Sequence, residues 1–294
     1  MDIKRIVKKY IVEIIILIIL FGLILVLIFL ISGRSKKKNL LSKKKNLLSK
    51  KKNLFMCYFY PDKTKNDISQ KVYDNANKYA PEYNLQIYDD KEMIQFFKDH
   101  YNDSDRYLNK FNELQGPHKA DLWRYCVLYH YGGVYLDIKT ELIKPLNEIF
   151  IDDNILYTVL SINSGTICIG SISTPPKNPI FLDLIENILN IGDNFNYLDF
   201  CKDFYDKINE YCNGIKSGFN RNFKNDIDIY LFTEGCSKNK ENTNIMKSNL
   251  WNIDENKINK NKCKSVDKYG LCCYVYDNET PIIKTRFDDF GKTW

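Results

Sequence analysis

No stretch of this 294-residue chain narrows its possible folds as far as His118 to Pro145. From Lys119 to Tyr131 there is no Gly or Pro, and apolar residues recur at helical spacing, which predicts a helix over about 119–131. Gly132 and Gly133 stop it, because glycine readily takes the positive-φ conformations that a tight helix-to-strand reversal needs. The residues that follow alternate. Val134, Leu136 and Ile138 are predicted on one face of a strand, and Tyr135, Asp137 and Lys139 on the other. Asp121 and Arg124 are three apart, hence neighbours on one helical face. On a solvated helix such a pair contributes only about 0.3 kcal/mol. Beside the glycine pair and a carboxylate at the tip of a buried strand, it is a candidate site.

The pattern Ala120-Asp121-Leu122-Trp123-Arg124-Tyr125, then Leu128-Tyr129 and Tyr131-Gly132-Gly133-Val134-Tyr135-Leu136-Asp137, resembles the sugar-binding region of the DXD-containing glycosyltransferases. That family includes the yeast-type Golgi mannosyltransferases and is related to the glucosylating bacterial toxins. The resemblance is close from about residue 54 to 190 and loose over the last hundred. It implies an α/β chain of GT-A fold, a Rossmann-like sheet that binds a nucleotide-sugar at the carboxyl ends of its strands. The implied reaction moves a hexose from a UDP- or GDP-hexose to a glycan, protein or lipid acceptor, with retention of configuration. The enzyme's part is then to position the reactants and stabilise the departing diphosphate by charge. By family position Asp121 and Arg124 bind the donor sugar, Gly133 lies in the donor-binding stretch, and Asp137 contacts ribose and the metal. An aromatic at the end of the opening strand, Tyr58 or Tyr60, is placed to stack on the base or to fill the core.

One departure matters. Where the family reads Asp-x-Asp, this chain reads Asp137-Ile138-Lys139. The second Asp is the family's ligand for a divalent cation bridging the diphosphate, and a charged Lys cannot ligate one. Lys139 either lends its own charge to the diphosphate or weakens the site. The expected cofactor is a weakly held, nucleotide-dependent Mn²⁺ or Mg²⁺ on Asp137, helped by Asp288 or Asp289, with metal-free catalysis as the alternative. These last two open Asp288-Asp289-Phe290-Gly291-Lys292-Thr293-Trp294, which resembles the family's C-terminal element closing over the diphosphate, with Trp294 at its end. A non-catalytic sugar-binding or scaffolding protein on the same fold is the competing reading.

The formal charge of +6 is misleading about the globular part. Residues 1–54 hold 14 Lys/Arg against two acids, so the remaining 240 residues sum to −6 and give no footprint for nucleic acid. Ile14 to Ile31 is an 18-residue apolar run interrupted only by Gly22, close to the length that crosses a bilayer. An uncleaved anchor over residues 1–32, in the membrane through residues 11–31, is expected rather than a signal peptide, which has a shorter core and a small-residue cleavage site. Basic residues flank both sides, so orientation is left open by the positive-inside rule. The family suggests a Golgi- or ER-like lumenal enzyme, or one on a viral or host membrane. Residues 33–53 carry a repeat of Ser-Lys-Lys-Lys-Asn-Leu-Leu, either an amphipathic helix or a low-complexity charged stem.

The catalytic domain is expected over 54–294. Strands are predicted at 54–60, 85–89, 155–160, 166–170, 230–233, 273–276 and 281–284, and helices at 66–79, 92–100 and 180–189. Asp103, Asp105 and Arg106 read as solvated surface, and little structure is legible in the Asn/Lys/Asp-rich 192–262. Among nine cysteines, Cys57, Cys126 and Cys168 lie in apolar elements and read as buried thiols. Six follow residue 200, which suits disulfides in an oxidising compartment. The sequons at Asn102 and Asn278 fit the same location.

Overall fold

The computed structural model describes residues 51–59, 64–192, 195–238 and 271–287. The apolar run, residues 33–50 of the repeat stem, Tyr60, Asp288, Asp289 and Trp294 lie outside the described residues, whereas Lys52 and Asn53, expected in the stem, begin the first strand. No helix among the described residues is long and apolar enough to cross a membrane. Packing divides the chain between Lys51 and Lys52, and the account below concerns the second unit.

This unit is a mixed α/β fold built on one curled sheet. Strand β1 (Lys52–Cys57) pairs in parallel with β2 (Tyr83–Tyr88) on one side and β3 (Gly133–Leu136) on the other. Beyond β3 come β6 (Ile167–Thr174), β5 (Leu156–Leu160), β8 (Ile229–Lys238), β9 (Leu271–Asp277), β10 (Thr280–Lys284) and β4 (Glu141–Leu142), with β7 (Gly218–Asn220) on β8. β6 runs antiparallel to both β3 and β5, and β5 is parallel to β8. The carboxyl ends of β1, β3, β5 and β8 therefore meet on one edge. The chain passes from β1 outward to β2 on one side and then back across to β3 on the other. Such a reversal opens a crevice at that edge.

Among the described residues six helices cover the sheet. They are α1 (Gln70–Tyr79), α2 (Asp90–His100), α3 (Ser104–Glu113), α4 (Gly116–Tyr131), α6 (Pro179–Asn190) and α7 (Asp199–Cys212), with a single turn, α5, at Leu146–Ile149. Alternation in β1 and β3 sorts the core into two layers. Phe55, Cys57 and Tyr135 pack with Trp123, Phe97, Phe181 and Phe204. Leu54, Met56, Val134, Leu136 and Ile138 pack on the other face with Val72, Ala76, Leu146 and Ile283. Burying side chains as large as Phe181 or Phe204 contributes about 2–3 kcal/mol each. The alternation predicted from Val134 to Lys139 holds only as far as Leu136, where the strand ends and a turn at Ile138–Lys139 follows, and Tyr135 is wholly buried.

α4 begins three residues earlier than its periodicity suggested, because Pro117 sits in the first turn, where its missing N–H is not required. It ends as expected at Gly132, with φ 62°, followed by Gly133 at φ 95°. Asp89 caps α2 by accepting from the Glu92 amide, and Asn178 caps α6 through Ile180. Two helices were not foreseen. α3 occupies the stretch read as solvated surface, and α7 lies in the polar region read as featureless.

Candidate active site

The site grows where the middle of α4 lies beside the carboxyl end of β3. α4 is buried on nearly every side, so its two buried charged residues, Asp121 and Arg124, must find partners inside the protein. They find each other, with Arg124 Nη1 at 3.1 Å from Asp121 Oδ1. The same nitrogen donates to the Ile169 carbonyl on β6 at 2.9 Å. Nη2 donates to the Tyr135 hydroxyl at 3.1 Å and to Asp137 Oδ1 at 3.0 Å. The guanidinium also lies over the Tyr135 ring, 4.3 Å from its centroid. One buried cation thus ties a helix, β3 and β6 together and fixes two carboxylates.

Asp137 follows the last residue of β3, at the carboxyl edge. Its amide donates to the Gly170 carbonyl at 2.9 Å, and its carbonyl accepts from the Thr140 amide at 2.8 Å. Tyr135 Oη donates to Oδ1 at 3.2 Å, while Lys139 Nζ lies 3.2 Å from Oδ2. Gly170 makes room for this carboxylate, since a Cβ there would lie 2.8 Å from Asp137 Oδ2. The Lys139 carbonyl accepts from the Phe287 amide at 2.9 Å, so the described chain ends beside the site. Two carboxylates face two cations, and the cluster is formally neutral.

The two acids ionise differently. Burial pushes the Asp121 carboxyl up to about 6, against the pull of Arg124, which it shares with Asp137. Burial also acts to raise Asp137, but Lys139 and Arg124 together outweigh it and hold that carboxyl below its usual value. Lys139 is raised in turn, first by Asp137, and stays charged at any pH the protein meets. Cys57, 3.0 Å from the Tyr135 hydroxyl, is pushed up to about 11 by burial and stays a thiol.

Of the residues proposed from sequence, the structure gathers Asp121, Arg124, Asp137 and Lys139. It does not bring Gly133 to them. Gly133 starts β3 while Asp137 follows its end, about 13 Å away at strand rise. Its glycine answers a steric demand instead, because a Cβ would lie 2.7 Å from the Asn53 carbonyl oxygen. Tyr58 is buried in the opposite layer, in the cluster containing Ile68 and Val72. Of the two placements expected for it, Tyr58 takes the one in the core.

Sequence reading missed the non-local supports, Tyr135 and the Ile169 and Gly170 backbone. The turn beyond β5 was legible from Asn163-Ser164-Gly165, but its tie to β8 was not: Glu234 accepts from Ser161 Oγ and the Ile162 amide, both at 3.0 Å. Asn163 in this turn is 4% exposed, and its Oδ1 has no partner among the described residues. A glycine inside an otherwise alternating strand, as at Gly170, is the one signal that was available.

A divalent cation does not fit the described residues. Both Asp137 oxygens already meet cations, and Asp121 is engaged by Arg124. Among the described residues only Glu234, Cys236 and Cys273 approach as a set of potential ligands. The two sulfurs form a disulfide and are not thiolates, so this is no metal centre. The disulfide joins directly paired positions of β8 and β9. Cys57, Cys126 and Cys168 are free as expected, with Cys168 half-buried, whereas Cys201 and Cys212 are unpaired despite lying in the cysteine-rich half.

Residues 66–156 match the family described as "Glycosyltransferase sugar-binding region containing DXD motif". A mannosyl phosphorylinositol ceramide synthase of Saccharomyces cerevisiae is 27% identical over 109 residues, 37% of this chain and 27% of that protein. The initiation-specific alpha-1,6-mannosyltransferase of the same yeast is 31% identical over 74 residues, 25% of this chain and 15% of that protein. An uncharacterized glycosyltransferase of Acanthamoeba polyphaga mimivirus is 25% identical over 148 residues, 48% of this chain and 58% of that protein. The chain thus spans less than two thirds of each of these relatives.

Proposed function

We propose, from the membership of residues 66–156 in the DXD-containing glycosyltransferase family, that this chain transfers a hexose from a nucleotide-sugar to a glycan, protein or lipid acceptor. The observation that carries the reading is Arg124, which holds Asp121 and Asp137 together at the carboxyl edge of β3. That is where an α/β sheet with opposed crossovers binds its ligand, and the GT-A architecture is proposed with it. In this reading Asp121 and Arg124 bind the donor's sugar hydroxyls and Asp137 its ribose. Arg124 keeps both carboxylates ionised and oriented before the donor arrives, so little ordering is left to the reaction itself. Retention of configuration belongs to the same proposal.

A thermal-shift panel of UDP- and GDP-hexoses on the full chain, followed by donor hydrolysis, tests this. One donor class is expected to raise Tm and to be slowly hydrolysed without acceptor. No shift with any nucleotide-sugar refutes the reading. A shift without hydrolysis or transfer favours the sugar-binding alternative, for which the Lys139–Asp137 contact across the site is the supporting feature.

The anchor over residues 1–32, in the membrane through residues 11–31, and the basic stem at 33–53 are proposed to tether the domain to a membrane as a single pass. The Cys236–Cys273 disulfide and the exposed sequons at Asn102 and Asn278 support a lumenal side. Resistance to alkaline extraction, together with a mobility shift on deglycosylation, is the expected result.

A further inference from the structure

We infer that the Lys139 ammonium serves in place of a divalent cation as the counter-charge of the donor's diphosphate, so that a nucleoside diphosphate binds this site without metal. The inference rests on the donor reading above and deepens it.

The argument begins with charge. A carboxylate pair recruits a divalent ion because its negative charge is not otherwise neutralised. Here Asp121 and Asp137 are matched one for one by Arg124 and Lys139, at 3.0–3.2 Å. The third acid at this edge, Glu234, accepts from Ser161 and the Ile162 amide. A divalent ion would have to share Asp137 with two cations already in contact with its oxygens. A diphosphate meets a different situation, since the half-exposed ammonium can turn to it from Asp137 Oδ2.

The two cations are built for different tasks. Arg124 is 5% exposed in its side chain and is locked by Asp121, Ile169, Tyr135 and Asp137. Moving it would leave the buried Asp121 without a cation and Asp137 with Lys139 alone. Lys139 has a fixed backbone, held through the Phe287 amide and the Asp137–Thr140 turn. Its side chain is 45% exposed and contacts Asp137 through Oδ2. It can swing to a phosphate while Asp137 keeps Arg124 and Tyr135 on Oδ1. A compact ammonium on a flexible stem suits phosphate as a point charge. Nothing in the exchange requires a proton to move.

The test is equilibrium binding of UDP and of GDP to the full chain in detergent, in chelator and in Mn²⁺. The bound nucleotide is expected to keep its affinity in chelator within about twofold, and Lys139→Ala to weaken it about tenfold to a hundredfold. Lys139→Arg should retain most of the affinity. Lys139→Asp should bind poorly in chelator and recover with Mn²⁺, because it restores the carboxylate pair. A wild-type affinity that falls tenfold or more in chelator overturns the inference and leaves the donor reading standing. So does Lys139→Ala with wild-type affinity and an unchanged Tm. If neither nucleotide binds under any condition, the donor reading falls as well.

Discussion

At its amino end β3 leaves Gly132 and Gly133 against neighbouring backbone. A Cβ on Gly132 would lie 2.5 Å from the Pro176 nitrogen, and one on Gly133 2.7 Å from the Asn53 oxygen. At its carboxyl end, four residues on, Asp137 is surrounded by Arg124, Tyr135 and Lys139 at 3.0–3.2 Å. The first end is held by shape, through contacts that admit no side chain. The second is held by charge, through groups that would repel or remain unpaired if any one were removed. A strand of four residues can serve both because its ends face different demands. Rigid placement at one end sets where the carboxylate emerges at the other.

The comparison breaks most visibly at the glycines. Gly132→Val adds a branched side chain at φ 62° against backbone that cannot yield. Backbone strain and overpacking together cost about 2–6 kcal/mol. Most of the stability of a domain of ordinary margin would be lost, and the expected outcome is a large fall in Tm or no soluble protein. A variant with wild-type Tm would show that the α4–β3 junction is not fixed by shape.

Arg124→Met sits between the two regimes, since it removes a proposed donor contact and a structural tie at once. It leaves two carboxylates at the helix–strand junction without their shared cation, at a cost of about 3–5 kcal/mol. Both Tm and donor binding should fall. Preserved stability with lost binding would assign Arg124 to the ligand alone.

Asp137→Asn sharpens the contrast. The amide keeps the shape but not the charge, and Lys139 can turn to solvent. Tm should change by only a few degrees, while donor turnover falls about a hundredfold or more. Unchanged donor hydrolysis would remove Asp137 from the reacting centre.

These positions also show what a single sequence discloses. The α4–Gly-Gly–β3 unit is legible because its period changes from 3.6 to 2 across two glycines, and the β9–β10 hairpin because of its turn at Asp277–Thr280. Helix α3 was hidden by polar density although Tyr107, Phe111 and Leu114 are its buried spacing. Helix α7 was hidden likewise behind Phe200, Phe204, Ile208 and Tyr211. Asp121, Arg124 and Asp137 were legible as a set, because helix and strand spacing alone bring them to one junction. The carbonyl of Ile169, the space above Gly170 and the Glu234–Ser161 bond were not, since they come from strands 30 or more residues away, whose register no local pattern encodes. Gly133 was misread because a family position cannot say whether a glycine faces a ligand or another backbone.

The smallest expected effect concerns pH and Asp121. Its carboxyl is raised to about 6 by burial, with Arg124 and then His118 opposing. Protonation at lower pH removes the acceptor that the proposed donor contact needs, so kcat/KM should decline as pH falls through about 6. Stability should move the other way. A carboxyl that holds its proton more tightly when folded favours the folded state below its unfolded pKa, and that contribution is lost as pH rises through about 6. The span is on the order of 2–3 kcal/mol at most. Lys139 adds no step here, since it stays charged throughout. Asp121→Asn should abolish both trends together, flattening the stability profile between pH 4 and 6 as well as the acid limb of the rate. An acid limb that survives in Asp121→Asn would place the titrating group elsewhere. The charged end of β3 would then owe its pH response to something other than the helix carboxylate.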